Sequence, residues 1–418
     1  MNAMIDSHLH VGSLQRIGDL RRYMDLLGLE AVGALSLPLA GVPGIGDAST
    51  RGGSRGGRGH QRPGIGASFR SAGGFPTTTV RPNFNPEVLA AMCACPGRVF
   101  GYGSFDNRAL LASSEWRPDA QVEEMHAAGF FGVKMWEGKP DLLAALGITL
   151  DDPRLVAAYR VAGERGMPVL IHVADPRQFW YPHRLRSEAE RGAAVPPWSY
   201  ADAGVPAFDD LIDQAGRACT AAPGTTFVFP HLLFLADDLP RLEAFLDEHP
   251  NALVDLAPGN YLYPALGAVG ETADPRASVD FFARYRDRIL AGSDSFFLAL
   301  PGGDRESMVP GLPGTPLTDN LERFLRLRRF LESDGAMASP FALTAGAHPM
   351  VRGLALDRAT LEAVFSGTFA ALRRRRGLDG GPDLAAVRDY LRNWADDDGA
   401  LVAHARHADA WITEDRTT

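Results

Sequence analysis

The chain has 418 residues, 45% hydrophobic and 22% charged, with a formal net charge of −9. That is the make-up of an enzyme-sized globular protein, and the acidic balance argues against nucleic acid or an anionic membrane as a global partner. No run reaches the roughly 18 apolar residues of a membrane span. The start lacks the regions of a signal peptide, and Cys93, Cys95 and Cys219 have no ligand-pair spacing, so reduced thiols and a cytoplasmic location are expected.

Eight short β-rich runs follow one another. MIDSHLHV comes first. AVGALSLP follows the helical pattern GDLRRYMDLLGLE, and RVFGYGSF follows NPEVLAAMCACPG, where Asn85 and Pro86 read as an N-cap and first helical residue. FFGVKMW follows RPDAQVEEMHAAG, and MPVLIHV follows DPRLVAAYRVAGERG. TTFVFPH, NALVDLA and RILAGSDSF each follow a helical segment in the same way. Strands alternating with helices imply a parallel sheet, and eight of them imply a (β/α)8 TIM barrel. An open doubly wound sheet is disfavoured, because no G-x-G-x-x-G joins the first strand to the first helix.

Two regions break the alternation. Residues from about 41 to 82, after strand two, are rich in Gly, Arg, Ser and Pro and read as a flexible loop insert. Within it, RGGSRGGRG is of a kind that binds single-stranded RNA, but a flexible loop is the plainer reading and a compositional accident would also give it; no catalytic role is placed there, His60 included. After residue 300, LTDNLERFLRLRRFLES, TLEAVFSGTFAALRRRRG and DLAAVRDYLRNWADDD have helical periodicity. The second completes a barrel unit of residues 1–375. The rest, 376–418, reads as a helical extension, and the arginine run reads as a solvated helix end.

Alternate positions on a strand share a face, so His8 and His10 stand side by side. The pair alone is weak evidence for a metal. More histidines end later strands: His172 in VLIHV and His231 in FVFPH, with Asp294 closing ILAGSDS and Lys134 in GVKMW. The mouth of a barrel is where residues from different strands meet, and a metal gives several buried imidazoles one partner.

This order resembles the amidohydrolase superfamily, and IDSHLH, GVK, VLIH, TTFVFPH and GSD are most similar to its amidohydrolase-related branch of amidases, lactonases and non-oxidative decarboxylases. The resemblance spans about residues 4–298. It implies that His8, His10, His172 and Asp294 hold one divalent metal ion, zinc first among several that suit these donors. It also implies that His231 contacts substrate or attacking water. Lys134 stands where some branches carbamylate a lysine to bridge two ions; an ordinary amine beside Glu137, with one ion, is the default.

The expected chemistry is hydrolysis of an amide, ester or lactone by metal-bound hydroxide, with Asp294 as base and then acid and His231 steadying the oxyanion. Non-oxidative decarboxylation of an aromatic or unsaturated acid on the same site is the alternative. A non-catalytic binding protein on a vestigial barrel is the second. Trp136, Trp180, His183 and Tyr261 lie in loops that face substrate, alongside Phe179, Tyr181, Trp198, Tyr200 and Tyr263, although loop aromatics also simply pack loops down. Arg177, Arg184, Arg186 and Asn260 are candidates to hold a substrate carboxylate. The expected partner is a small molecule; a homo-oligomer is a family-level expectation.

Overall fold

The computed structural model describes residues 4–39, 81–112, 115–181, 199–201, 203–257, 262–267, 275–300, 314–339, 350–378, 380–395 and 399–415. The insert expected at about 41–82 lies outside them except for its last two residues. So do His60, His183, Arg184, Arg186, Trp198, Asn260, Tyr261 and His348.

The strands are β1 (Met4–Val11), β2 (Leu29–Leu35), β3 (Val99–Gly103), β4 (Gly132–Gly138), β5 (Val169–Val173), β6 (Phe227–Phe229), β7 (Ala252–Asp255), β8 (Ile289–Leu290) and β9 (Ser295–Phe297). They form one sheet in the order β8-β7-β6-β5-β4-β3-β2-β1-β9. All its pairings are parallel. β8 and β9 are two pieces of the one run Ile289–Phe297. The first pairs with β7 and the second with β1, so this run closes the ring. The Ser7 N–H donates to Ala291 O (2.8 Å) and the Asp294 N–H to His8 O (2.9 Å) across the same seam. The eight sequence runs are therefore the eight staves of a closed barrel, with the last stave broken by a kink.

The outer helices form because their apolar residues recur at helical spacing. Helix Ile17–Leu27 buries Ile17, Leu20, Tyr23 and Met24 and stops at Gly28, whose φ of 62° is the left-handed stop that glycine adopts freely. Helix Asn85–Ala94 begins at its expected cap, one residue early, and Phe84 stands in the cap position. The Asn85 side chain is spent elsewhere: its Oδ1 accepts from the Ser104 N–H and its Nδ2 donates to Ser104 O and the Tyr390 hydroxyl. Asn85 thus pins strand β3 to the C-terminal helices and caps nothing.

The floor of the barrel is sealed from below. Ile5, Phe100, Phe131, Leu170, Val228, Leu253 and Leu290 pack with Phe369 and Leu372 of helix Thr368–Arg376. Phe369 stacks on Phe131 at 5.2 Å and meets the edge of Phe100 at 5.7 Å. The arginine run is not merely solvated. Arg375 donates to Thr226 Oγ1 and Gly224 O, and Arg376 to Phe130 O, tying the plug to loops beneath the strands. Beyond it, helices Leu384–Ala395 and Gly399–Asp415 lie against the barrel helices Asn85–Ala94 and Pro118–Ala127. Among the described residues no helix is long and apolar enough to cross a membrane.

Candidate metal centre

His8 and His10 point into the barrel because of a register break. Ile5 belongs to the inner floor and Leu9 and Val11 to the outer core. The pairing with β2 shifts between Asp6 and Leu9, so an extra residue turns the alternation over. Asp6 is left on the far side of the sheet, where it accepts from the Tyr23 hydroxyl (2.7 Å), the Ser293 hydroxyl (2.5 Å) and the Ser293 N–H (2.9 Å). These bonds clamp β1 to the kink of the eighth stave. Asp294 sits in that kink with φ of 53°, a left-handed backbone that Asp tolerates better than most residues. Gly292 makes room beside it, since a Cβ there would lie 2.6 Å from the Cβ of His8.

Three atoms converge. His8 Nε2 lies 3.4 Å from His10 Nε2, and Asp294 Oδ1 lies 3.5 Å from the first and 3.3 Å from the second. Donors about 2.1 Å from a shared tetrahedral centre stand about 3.4 Å apart, so these edges fit a metal ion. The protonation pattern agrees. His8 Nδ1 donates to Asp255 Oδ2 at 2.7 Å, which leaves Nε2 with its lone pair turned into the triangle. Burial lowers the pKa of His10 to about 4, so it is neutral. Its Nδ1 is buried with no partner among the described residues. Burial works against charge on Asp294, but the hydrogen bond to His10 and the fields of His8, His10 and His231 outweigh it and hold the carboxyl well below its usual range.

His172 stands one ring further away. Its Nδ1 is 3.3 Å from His231 Nε2, and its Nε2 faces Lys139 Nζ at 3.4 Å. Among the described residues, the group able to share one ion is His8, His10 and Asp294; His172 is not in it. His231 Nδ1 must donate, because its partner is the Ala257 carbonyl at 2.9 Å. Its Nε2 is therefore an acceptor, and burial lowers its pKa and keeps it neutral. His231 opens a left-handed turn of four non-glycine residues, with φ of 59°, 51°, 56° and 52° through Phe234. Such backbone costs roughly 1–2 kcal/mol per residue. With Ala174 and Asp294, it places six positive-φ non-glycine residues at the strand ends of the mouth, and strain of this kind gathers at functional sites.

Lys134 is inside the barrel. It pairs in register with Leu170, an inner residue, is 1% exposed, and makes no hydrogen bond among the described residues. Burial pushes its pKa down to about 8 against the pull of Asp255, Asp294 and Glu137. Glu137 does not pair with it directly; it accepts from Asn107 Nδ2 (2.8 Å) and the Trp136 N–H (2.9 Å).

Beside the centre a cavity of about 210 Å³ is lined by His231, Phe234, Leu262, Pro264, Arg177 and Gln178, among others. Arg177 is partly spoken for, by Asp209 at 3.1 Å and the Phe208 ring. Trp136 packs at the mouth with Leu37, Phe84 and Leu298. Trp180 packs its loop down instead, donating to Pro206 O and meeting the ring of Phe208. Two carboxylates went unread in the sequence. Asp255 orients His8 and also accepts from the Ala257 and His231 N–H groups. Asp175 binds Lys139 at 2.6 Å and the Tyr200 hydroxyl at 2.9 Å. Asp255 ends its run as Asp294 does, and that position was the available signal.

No family model matches the chain, and no curated protein does. Several solved structures are similar. One is a 2,6-dihydroxybenzoate decarboxylase from Rhizobium: 16% identity over 91% of this chain and 100% of that one, TM-score 0.44. Another is a probable 2-pyrone-4,6-dicarboxylic acid hydrolase from Acinetobacter baumannii: 12% identity, 89% and 99% covered, TM-score 0.43. A third is a zinc-bound amidohydrolase from Burkholderia multivorans: 14% identity, 90% and 99% covered, TM-score 0.41. Likeness at this level assigns neither family nor reaction; the barrel stands on the chain's own strand order.

Proposed function

We propose that the protein is a metal-dependent hydrolase of the amidohydrolase superfamily, acting on an amide, ester or lactone carbonyl of a small, ring-bearing molecule. The observation that carries the reading is the triangle of His8 Nε2, His10 Nε2 and Asp294 Oδ1, with edges of 3.3–3.5 Å, beside the mouth cavity. A divalent ion held there, zinc by its donor set, supplies Lewis acidity that polarises a carbonyl and acidifies a water.

The chain's own residues do the rest. Asp294 shares Oδ1 with the two histidines and keeps 18% of its side chain exposed. Held ionised, it accepts a proton from an incoming water and returns it to the leaving group. His231 lines the cavity, but its accepting Nε2 faces His172 Nδ1 at 3.3 Å; in this tautomer it does not donate to an oxyanion. Lys134 is a buried cation with no hydrogen bond among the described residues, and it takes that role. Its ammonium also repels a second divalent ion, so one ion per chain is expected. Phe234, Leu262 and Pro264 offer an apolar wall for a ring.

The test is elemental analysis of the purified protein, followed by turnover of amides, esters, lactones and aromatic acids before and after chelation. About one ion per chain and chelator-sensitive hydrolysis are expected. Release of CO₂ without water consumption would replace hydrolysis by decarboxylation on the same site. Undiminished turnover without metal would overturn the reading.

A further inference from the structure

We propose that Arg323, on helix Leu317–Glu332 outside the barrel, is a positioning residue of the metal centre. It holds two of the three converging side chains in place, Asp294 through its backbone and His10 through Phe296. The proposal rests on the metal reading above, and its test includes the metal-free protein.

The helix buries Phe324, Leu327, Phe330 and Leu331, which is ordinary amphipathic packing. Its first turns are different. Asn320 is 0% exposed, where a polar group is costly unless its bonds are made. Its Oδ1 accepts from the Phe296 N–H (3.3 Å), and its Nδ2 donates to Phe296 O (3.4 Å) and Thr315 O (3.3 Å). Asn320 thus docks the helix on β9. Arg323 lies three positions on, on the same face. Its Nη1 donates to Asp294 O at 3.0 Å, and its guanidinium carbon lies 5.7 Å from the centre of the Phe296 ring.

Both contacts lead to the metal centre. The Asp294 N–H is already fixed by His8 O at 2.9 Å. With Arg323 on its carbonyl, the residue is gripped on both sides at its φ of 53°. A left-handed non-glycine residue persists only where its surroundings over-determine it, so loss of the Arg323 bond frees Asp294 to turn out of the triangle. The Phe296 ring stacks on the His10 imidazole, with centroids 4.9 Å apart and planes inclined by 22°. His10 needs such a hold. Asp255 fixes the ring of His8 and the Ala257 carbonyl fixes that of His231, but His10 Nδ1 has no partner among the described residues. Its ring angle is set by stacking, and Arg323 stands against the ring that stacks.

The experiment uses the full chain and three variants, Arg323→Ala, Arg323→Lys and Arg328→Ala. Arg328 pairs with Glu332 of the same helix at 2.8 Å, so its loss changes the helix and leaves the stave untouched. In chelator competition Arg323→Ala should bind zinc about tenfold or more weaker than the parent. Arg323→Lys keeps a donor but not the planar group beside Phe296 and should fall between the two; Arg328→Ala should match the parent. Proton NMR of the metal-free protein reads the clamp directly. The His10 ring resonances, displaced by the ring current of Phe296, should move in Arg323→Ala and stay in Arg328→Ala. Three results would overturn the proposal: parent-like zinc affinity in Arg323→Ala, an equal loss in Arg328→Ala, or unmoved His10 resonances. If the parent binds no metal, the metal reading falls, and the His10 resonances alone decide the clamp.

Discussion

Replacing Asp255 by asparagine tests how the metal centre is held. The carboxylate accepts three bonds: from His8 Nδ1 at 2.7 Å, the Ala257 N–H at 2.9 Å and the His231 N–H at 3.3 Å. The first is on Oδ2 and the other two share Oδ1. Asparagine has one acceptor oxygen. If that oxygen stays with the backbone, its NH₂ meets the Nδ1 proton of His8. The imidazole then relieves the clash by carrying its proton on Nε2, the atom that faces His10 and Asp294. If the amide turns over, two buried N–H groups lose their acceptor and the turn carrying His231 loosens. Loss of such an orienting carboxylate weakens metal binding about 10- to 100-fold, or about 1.4–2.7 kcal/mol. Chelator competition on parent and variant measures it, and nitrogen NMR reads which nitrogen of His8 bears the proton. Parent-like affinity with His8 still protonated on Nδ1 would refute the reasoning. Failure of the parent itself to bind metal would refute the metal reading instead.

Other outcomes follow from single residues. Asp294→Asn should lower turnover at least about 10²-fold and reduce bound metal, as rate and elemental assays show. Phe369→Ala should cost about 3–5 kcal/mol in denaturant unfolding, since it opens the plug beneath Phe100 and Phe131. Glu87 is buried; burial opposes its charge, but Arg81 and His404 hold its pKa at about 2. Because the folded value is depressed, its contribution of about 2–4 kcal/mol is complete above pH about 4.5 and lost as pH falls toward 2. Glu87→Gln should therefore flatten the acid limb of the stability curve; an unchanged limb would remove this cluster from the account.

The elements were legible because their periods are local. Alternation marked the staves, helical spacing marked the helices between them, and chain order alone put His8, His10, His172, His231 and Asp294 at strand ends. What required the tertiary structure was everything set by contacts between distant segments. A one-residue register break sends Asp6 outward to Tyr23 and Ser293 while the histidines face in, and no sequence period records a bulge. The kink after Leu290 makes one run serve both neighbours and close the ring. Asp255 reaches His8 across 247 positions of sequence. His172 is drawn toward Lys139 and His231 by partners that its own strand does not name. Arg375 and Arg376 read as a charged helix end until the fold sets them against carbonyls under the barrel. Local pattern determines which face a side chain occupies; only packing decides which atoms it then meets.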